Sequence, residues 1–322
     1  MELLKVQGSD NRFILLDQTL LDHALTQDEL TAFTTWVCQA EKTDGVLVVD
    51  QASHAGPLGQ MTVINADGSR ASMCGNGLRT VARYLADKYG QDEFTVETPA
   101  ADLRVARQEN FAIGVPAFAV EISPIRTDLT ALPAQNLGQR PLLNTVVPEF
   151  SDHLRFSTVA VPNPHLISFV EDDEDLNSTL AELGQRLNAE NSYFPQGVNL
   201  NFAKILGKNQ LFVRTYERGV GFTNACGTGM SATSWAFSQI FPEDYDGNVF
   251  ITVFNPGGMV KTRLHLADSN PWIELVGNAT IMGIFEVEES ALHRGSWSDG
   301  QVHFEASPEQ AAYQDFVAEI KK

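Results

Sequence analysis

The stretch NADGSRASMCGNGLRTVARYL, from Asn65 to Leu85, decides the fold of the first half of the chain. After a glycine-rich turn at Gly75–Gly77, apolar residues recur at the spacing of a helix with one buried face: Leu78, Val81, Ala82 and Leu85. Cys74 is therefore predicted at a helix N-terminus. There, unpaired backbone N–H groups and the helix dipole favour a thiolate, and the same N–H groups can bind a carboxylate.

The chain contains a second copy of this pattern, and the pair is interpreted differently from a single motif. The segment GFTNACGTGMSATSWAFSQIF, from Gly221 to Phe241, repeats Cys-Gly-x-Gly before another helical run. One such motif is more typical of a structural turn, but two matched thiols, Cys74 and Cys226, indicate chemistry. Two thiols that flank one carbon from opposite sides can move a proton from one face to the other.

Composition limits the class of protein. With 322 residues, 43% hydrophobic and 20% charged, the chain is typical of a globular protein of two domains. Twenty-two Lys and Arg against 41 Asp and Glu give a net charge of −19, which argues against a nucleic-acid partner. No apolar run approaches the roughly 20 residues that span a bilayer, and the N-terminus lacks the features of a signal peptide. We expect a cytoplasmic protein without a membrane partner.

The cysteines do not suggest a disulfide framework. There are three of them in a long chain, an odd number, which fits reduced thiols in a reducing compartment. Cys38 extends the apolar face of a helix that opens with a capping box at Thr26 and Glu29, and Leu30, Phe33 and Val37 form the rest of that face. Cys38 is therefore predicted to be a buried packing residue and not a catalytic one.

The order of elements predicts an α+β fold. Short β-rich segments follow each other closely after the Cys74 helix, which indicates a mostly antiparallel sheet. The second half repeats the order, so we expect two pseudo-symmetric halves, each a sheet wrapped around a central helix. Their predicted limits are 1–122 with about 278–322, and 123–277, with a proline-rich crossing at Ser123–Pro148.

Two further helices are predicted. An acidic helix from about Asp173 to Glu190 has an apolar face of leucines. Its acidic residues are explained without a functional role. A polar helix begins at Ser307 and Pro308, with the proline at the first helical position, and runs towards Lys322. The last 30 or so residues therefore look distinct in character.

Several polar residues near the two motifs are candidates for the site. His165, in Pro162-Asn163-Pro164-His165, could act on the proton of a cysteine, although taken alone it would be a hydrogen-bonded loop histidine. Glu217 and Arg218 could bind an ammonium and a carboxylate, and the alternative is a surface ion pair. The amides of Asn65, Asn76, Asn163 and Asn199 offer donors and acceptors, as common loop residues also do.

Taken together, these motifs carry a family resemblance. NADGS, MCGNG followed by Arg, NPH, GVN, and YERG with ACGTG together resemble the diaminopimelate epimerases, and the opening QGSDNRFILLD resembles the start of that family. The resemblance covers roughly residues 1 to 288. Proline racemases are similar in their paired cysteines but lack NADGS with YERG.

The resemblance implies a function and a site. The family interconverts LL- and meso-diaminopimelate for lysine and peptidoglycan precursors, uses neither pyridoxal phosphate nor a metal, and is usually homodimeric. It implies that Cys226 takes the proton from the LL isomer and Cys74 returns one, while His165 and Glu217 adjust the thiols. The implied substrate contacts are Asn11, Asn65, Asn163, Asn199, Glu217 and Arg218, and the implied carboxylate-holding turns are Gly75-Asn76 and Gly227-Thr228.

Three features depart from the family pattern. Gly45 follows Asp44 where Gln is usual, so one polar substrate contact is expected to be missing or replaced. Phe222 stands where Glu is usual, and it either desolvates Cys226 and raises the pKa of that thiol or simply packs. The extension after about Glu289 exceeds the common length of the family.

Three alternatives remain open at this point. The first is another amino-acid racemase or epimerase on the same scaffold, which the charged pair Glu217-Arg218 disfavours if the substrate is proline. The second is a catalytically silent binding paralogue, which would need neither cysteine. The third is a structural disulfide between Cys74 and Cys226, which would require an oxidising compartment.

Overall fold

The structure is a computed structural model that describes residues 1–71, 73–128, 131–138, 141–298 and 300–321. Parts of the predicted crossing, at 129–130 and 139–140, and the predicted helix end at Lys322 lie outside the described residues. Contacts divide the chain into two compact units, Met1–Val120 with Val276–Lys322, and Glu121–Leu275.

The part of the chain that the structure describes contains six α-helices. They are α1 Gln27–Glu41, α2 Gly75–Tyr89, α3 Leu180–Asn188, α4 Gly227–Ile240, α5 Glu289–Arg294 and α6 Glu309–Ile320. A 3₁₀ turn at Gln18–Leu20 precedes α1, and a π-helical turn at Asp175–Thr179 leads into α3.

The same described residues form nineteen strands. These are β1 Glu2–Gly8, β2 Asn11–Asp17, β3 Gly45–Asp50, β4 Gly59–Asn65, β5 Arg70–Ala71, β6 Glu93–Glu97, β7 Asp102–Ala112, β8 Val115–Ile122, β9 Thr145–Val146, β10 Arg155–Ala160, β11 Pro164–Phe169, β12 Asn199–Gly207, β13 Gln210–Glu217, β14 Gly221–Thr223, β15 Ile251–Asn255, β16 Gly258–His265, β17 Trp272–Asn278, β18 Thr280–Val287 and β19 Val302–Ala306.

In the first unit, a largely antiparallel sheet packs around α2. The strand order is β19-β18-β1-β2-β3-β4-β6-β7-β8, in which β2–β3 and β4–β6 are parallel and the other pairs are antiparallel. Short β5 pairs with β4 just before the helix. Helix α2 packs against β1, β2, β3, β4 and β7, and its predicted apolar residues Leu78, Val81, Ala82 and Leu85 are all buried.

The second unit repeats the same connections around α4. Strands β10 and β11 form an antiparallel pair, β11–β12 is parallel, β12–β13 is antiparallel, and short β14 pairs with β13 before the helix. After α4, β15 joins β13 in parallel and pairs antiparallel with β16. The prediction of two pseudo-symmetric α+β halves is confirmed.

Local sequence signals explain where the helices begin. Thr26 and Glu29 form both hydrogen bonds of a capping box at α1, as predicted. Cys38 is 4% exposed in the core of the first unit, which confirms its packing role. The predicted leucine face of the acidic helix is also buried, with Leu176 on the π-helical turn and Leu180, Leu183 and Leu187 on α3.

The C-terminal segment is tied to the rest of the first unit. Strand β19 pairs with β18. On α6, Tyr313 and Phe316 are buried, and Glu309 forms a two-point ion pair with Arg83 of α2 at 2.6 and 2.7 Å. Pro308 is the N-cap and not the first helical residue. The segment is thus an integral part of the first unit.

Candidate active site

Cys74 is the N-cap of α2. Its backbone is extended, and its sulfur accepts a hydrogen bond from the N–H of Gly77 at 3.4 Å. The side chain is half-buried, and the S–H donates to Oδ1 of Asn11 at 3.8 Å. The predicted position at a helix start is therefore correct.

Asn11 and Asn76 lie beside this thiol. Asn76 is buried, and its Nδ2 donates to Oδ1 of Asn11 at 3.3 Å. The other end of the Asn11 amide donates to Oδ2 of Asp44 at 2.6 Å. The structure thus brings together Cys74, Asn76 and Asn11 as a polar cluster, and it adds Asp44, which the sequence reading did not assign to the site.

Asn65 has a different local role. Its Nδ2 donates to Oγ of Ser69 at 2.9 Å across the tight turn after β4, and Ser69 in turn donates to Asp67. In this structure the side chain closes the NADGS turn. Its contact with substrate stays a prediction.

Gly45 has a backbone explanation. A Cβ atom on this residue would lie 2.5 Å from the carbonyl oxygen of Ile64, well inside normal contact. Strands β3 and β4 pair with Gly45 opposite Asn65, so a side chain here would push apart the strand that leads into the Cys74 motif. This close approach accounts for the absence of a side chain at position 45.

Arg79 is a buried cation on the Cys74 helix. Its side chain is fully buried, and it donates to the carbonyl oxygen of Asn278 and to Oγ of Ser9, both at 3.1 Å. Burial lowers the pKa of Arg79 to about 10, so it stays charged at neutral pH, and its charge acts on Cys74.

Cys226 is the corresponding N-cap of α4 in the second unit. Its sulfur accepts from the N–H of Gly229 at 3.3 Å and lies 3.5 Å from Oγ1 of Thr228. The helix-end position, as predicted from sequence, should ease deprotonation. In the structure, burial and then the Glu217 carboxylate raise the pKa of Cys226 well above its ordinary value, so the thiol predominates at neutral pH.

Glu217 connects this thiol to the sheet. It ends β13, accepts a hydrogen bond from Oγ1 of Thr223 on β14, and is hydrogen-bonded to the sulfur of Cys226. A carboxylate that faces an S–H favours the protonated form, because it accepts from the thiol and repels the thiolate. Thr223 was missed by the sequence reading, although it lies only three residues before Cys226.

His165 is buried and belongs to a chain of side-chain hydrogen bonds. Nδ2 of Asn201 donates to its Nδ1 at 3.0 Å, so its Nε2 carries the proton and donates to Oδ1 of Asn163, also at 3.0 Å. Oγ1 of Thr215 donates to Asn201 at 2.9 Å. Burial, with a smaller effect of Arg218, lowers the pKa of His165 to about 3, so the ring is neutral.

Strand register explains this alignment. On β11 and β12, His165 lies opposite Asn199, and Asn201 lies two residues further along the same face. On the next strand, Thr215 is the partner of Asn201. A Cβ on Gly229 would collide with Oδ1 of Asn201, so Asn201 lies directly beneath the start of α4. Side chains two residues apart on a strand share a face, so the sequence GVNLN could have predicted that Asn201 lies on the same face as Asn199.

Asn199 and Arg218 form a second contact in this unit. Oδ1 of Asn199 accepts from the backbone N–H of Arg218 at 2.9 Å, which fixes the chain just after Glu217. The exposed Arg218 guanidinium reaches the carbonyl oxygen of Gln196 at 3.2 Å. The charged head group is thus accessible from solvent.

Phe222 packs within the same hairpin. Its ring lies 5.5 Å from that of Tyr216, and the guanidinium of Arg214 lies 4.2 Å from its centre. The side chain remains 41% exposed. Of the two explanations offered by the sequence, these contacts support packing.

All three cysteines lie among the described residues, and all three are free thiols in this structure. Within the described ranges, no cluster of three His, Cys, Asp or Glu side chains could hold a metal ion. In the same ranges, none of the helices has the length and apolar character needed to cross a membrane.

Comparison with known proteins supplies the family. The family model described as diaminopimelate epimerase matches residues 3–116 and 157–282. The chain belongs to the diaminopimelate epimerase family. Among its relatives, proteins named diaminopimelate epimerase from Lactiplantibacillus plantarum and Enterococcus faecalis are each 46% identical, over 100% and 99% of this chain and 99% and 98% of their own lengths.

The segment after Glu289 lies beyond residue 282, the last residue that the family model matches. Relatives from Lactiplantibacillus plantarum and Ligilactobacillus salivarius align along the entire chain and so share this segment. At the level of fold, a hydroxyproline epimerase from Agrobacterium vitis superposes with a TM-score of 0.60 over 88% of this chain and 90% of its own, at 14% identity.

Proposed function

We propose that this member of the diaminopimelate epimerase family interconverts LL- and meso-2,6-diaminopimelate by proton transfer between two cysteines. One observation carries the proposal: in each unit, a cysteine caps the central helix at the same point of the same strand order. Two relatives that are 46% identical to this chain over nearly its whole length are named diaminopimelate epimerase.

The chemistry requires one base and one acid. The α-proton of an amino acid is far less acidic than a thiol, so a site without a cofactor must align the thiolate and thiol on opposite faces of the carbon and exclude water. In the LL-to-meso direction, the sulfur of Cys226 removes the proton from the α-carbon and the S–H of Cys74 delivers one. In the reverse direction, the roles exchange.

Cys226 must lose its own proton before it can act as the base. Glu217 is the hydrogen-bonded acceptor at its sulfur, so it is the group placed to receive that proton. The N–H of Gly229 and the hydroxyl of Thr228 then stabilise the sulfur anion. His165 is neutral and held by amides on both sides, which suits a positioning role beneath α4 better than proton transfer.

The helix starts supply the carboxylate site in this proposal. Gly75-Asn76 and Gly227-Thr228 lie in the first turns of the two central helices, where backbone N–H groups favour an anion. Asn11, Asn65, Asn163, Asn199 and Arg218 are proposed contacts for the rest of the substrate. The exposed Arg218 is the group available to a second, distal carboxylate.

Two of the departures from the family pattern, Gly45 and Phe222, do not demand another substrate. Gly45 is explained by the approach of Ile64, and Phe222 by its contacts with Tyr216 and Arg214. A different amino-acid racemase or a silent binding paralogue therefore has no specific observation in its favour. We further propose a cytoplasmic homodimer that acts in lysine and peptidoglycan precursor synthesis without a cofactor, with functional domains at 1–122 with about 278–322 and at 123–277.

A substrate panel tests the proposed activity. Purified reduced protein is incubated with LL-diaminopimelate, meso-diaminopimelate, L-proline and trans-4-hydroxy-L-proline, and stereoisomers are resolved by chiral chromatography. We expect the LL and meso isomers to interconvert and the proline compounds to stay unchanged. Turnover of a proline compound, with diaminopimelate unchanged, would overturn the substrate assignment.

A further inference from the structure

We propose that Asp44 is a positioning residue that turns the carbonyl end of Asn11 towards the Cys74 thiol and so keeps that thiol protonated. The inference rests on the proposed function for its consequence in turnover. Its geometry stands independently, because all the residues involved belong to the first unit.

The Asp44 carboxylate is fixed by two donors. Oδ2 accepts from Nδ2 of Asn11 at 2.6 Å and from the backbone N–H of Arg12 at 2.8 Å. The backbone of Asp44 is held as well, since its N–H donates to the carbonyl oxygen of Arg12 at 2.7 Å and its own carbonyl accepts from Ala66 at 3.1 Å. The loop between α1 and β3 is thus tied to the start of β2.

An ionised carboxylate only accepts hydrogen bonds, and this determines the orientation of Asn11. The NH₂ end of the amide must face Asp44, so the carbonyl end faces the other way. That carbonyl oxygen accepts from Cys74 at 3.8 Å and from Nδ2 of Asn76 at 3.3 Å. Without Asp44, a rotated amide would present N–H to the sulfur and give up the hydrogen bond from Asn76.

The direction of this hydrogen bond decides which form of the thiol is favoured. An acceptor at S–H stabilises the thiol, whereas a donor at sulfur stabilises the thiolate. At Cys74 the Asn11 carbonyl accepts from the S–H and so favours the thiol. The N–H of Gly77 donates to the sulfur at 3.4 Å and so favours the thiolate. Asp44 therefore keeps Cys74, the acid of the LL-to-meso direction, protonated.

Other charged groups lie near Asp44, Asn11 and Cys74, and the test must leave them unchanged. Arg79 acts on Cys74 from the same helix, with Tyr313 of α6 beside it. Asp10 and Arg12 pair at 2.8 Å in the turn before β2. The loss of the Asp44 charge would by itself favour a thiolate, so charge and hydrogen-bond orientation have to be separated.

Two variants of one residue separate them. Asp44→Asn removes the charge but keeps a carbonyl oxygen that can accept from both Asn11 and Arg12. Asp44→Ala removes the charge and the acceptor. The readout is the pH midpoint of iodoacetamide alkylation at Cys74, resolved by peptide mass spectrometry from Cys38 and Cys226, with far-UV circular dichroism to verify folding.

We expect the Asp44→Ala midpoint to lie about half a pH unit to one unit below that of Asp44→Asn, the shift that one hydrogen bond supplies. Asn11→Leu, which removes the carbonyl and retains Asp44, should also lower the midpoint relative to the wild-type protein. If Asp44→Ala does not fold, the Asn11→Leu midpoint tests the proposal in its place. Equal midpoints in the two Asp44 variants, or an Asn11→Leu midpoint at or above the wild-type value, would overturn the proposal.

Activity provides an independent second readout. In the pH profile of kcat for LL-to-meso conversion, the limb on which Cys74 loses its proton should move to lower pH in Asp44→Ala by the same shift as the alkylation midpoint. A wild-type protein without epimerase activity would refute the proposed function, yet the alkylation comparison would still decide the role of Asp44. Unchanged midpoints in an active enzyme would refute only the inference.

Discussion

The Glu217 carboxylate is hydrogen-bonded to the sulfur of Cys226, and it raises the pKa of the thiol that it faces. Burial is the larger cause of this raised pKa, because a thiolate without solvent loses its hydration, and the Glu217 carboxylate adds to it. Together they account for a thiol at a helix start that is protonated at rest. The resting protein therefore keeps Cys226 as a thiol.

Replacing Glu217 by Gln should separate reactivity from turnover. The amide has nearly the shape of the carboxylate but no charge, so we expect Cys226 to be alkylated at a lower pH than in the wild-type protein. Epimerase kcat should fall by roughly 10²–10⁴-fold, the usual contribution of a proton-transfer group. The matched control is Glu243→Gln, at an exposed carboxylate. An unchanged alkylation profile at Cys226 would contradict the assigned contact.

His165 should make the stability of the protein depend on mildly acidic pH. Its pKa is lowered from 6.5 to about 3 in the folded state, so the unfolded chain binds a proton first as pH falls. The stabilisation is complete above pH 6.5 and is lost progressively towards pH 3. Between pH 6.5 and 5, one such group should cost about 2 kcal/mol of the free energy of unfolding.

Urea denaturation at several pH values measures this dependence. His165→Gln should remove part of the slope between pH 6.5 and 5, whereas His153→Gln, at an exposed histidine, should preserve it. If both variants keep the wild-type slope, His165 is not the group that titrates.

Glu309 should stabilise the first unit from the C-terminal segment. Its carboxylate accepts from Arg83 and from the backbone N–H of Ile281 at 3.0 Å, and the Arg83 side chain is 11% exposed. Glu309→Ala leaves these donors without their acceptor, at an expected cost of about 1–3 kcal/mol in the free energy of unfolding. Glu319→Ala, at an exposed position of the same helix, is the control. Equal stability of the two variants would show that α6 is not anchored through Glu309.

Gly45 should not tolerate a side chain. The Cβ of Gly45→Ala would press on the carbonyl oxygen of Ile64, so we expect a loss of about 1–3 kcal/mol, measured by urea denaturation. Gly207→Ala lies on another strand with no atom within 4 Å of the added carbon, and its stability should change by less than about 1 kcal/mol. Comparable stability in both variants would mean that β3 and β4 can separate without cost.

The sequence predicted the repeated architecture because its strongest signals are local. Both Cys-Gly-x-Gly segments precede a helical run, and each cysteine is an N-cap in the structure. The capping box at Thr26 and the leucine face of the acidic helix were predicted for the same reason. Such patterns depend on neighbours within a few residues.

Features that depend on distant partners were missed. Strand β1 and strand β19 are defined by pairing with β18, which no local pattern reveals. The terminal helix was interpreted as polar because the spacing of Tyr313 and Phe316 gives only a narrow apolar face. Asp44 and Asn201 act through side chains from other strands, so their roles emerge only from register and hydrogen bonds.

The most direct test of the two-thiol mechanism is solvent deuterium incorporation at the α-carbon. Reduced protein is incubated with LL-diaminopimelate in D₂O beside Cys74→Ala, Cys226→Ala and the control Cys38→Ala, and ¹H NMR follows the label. We predict label with LL-to-meso conversion in the wild-type protein and the control, and conversion in neither site variant. Full conversion by either Cys74→Ala or Cys226→Ala would contradict the mechanism.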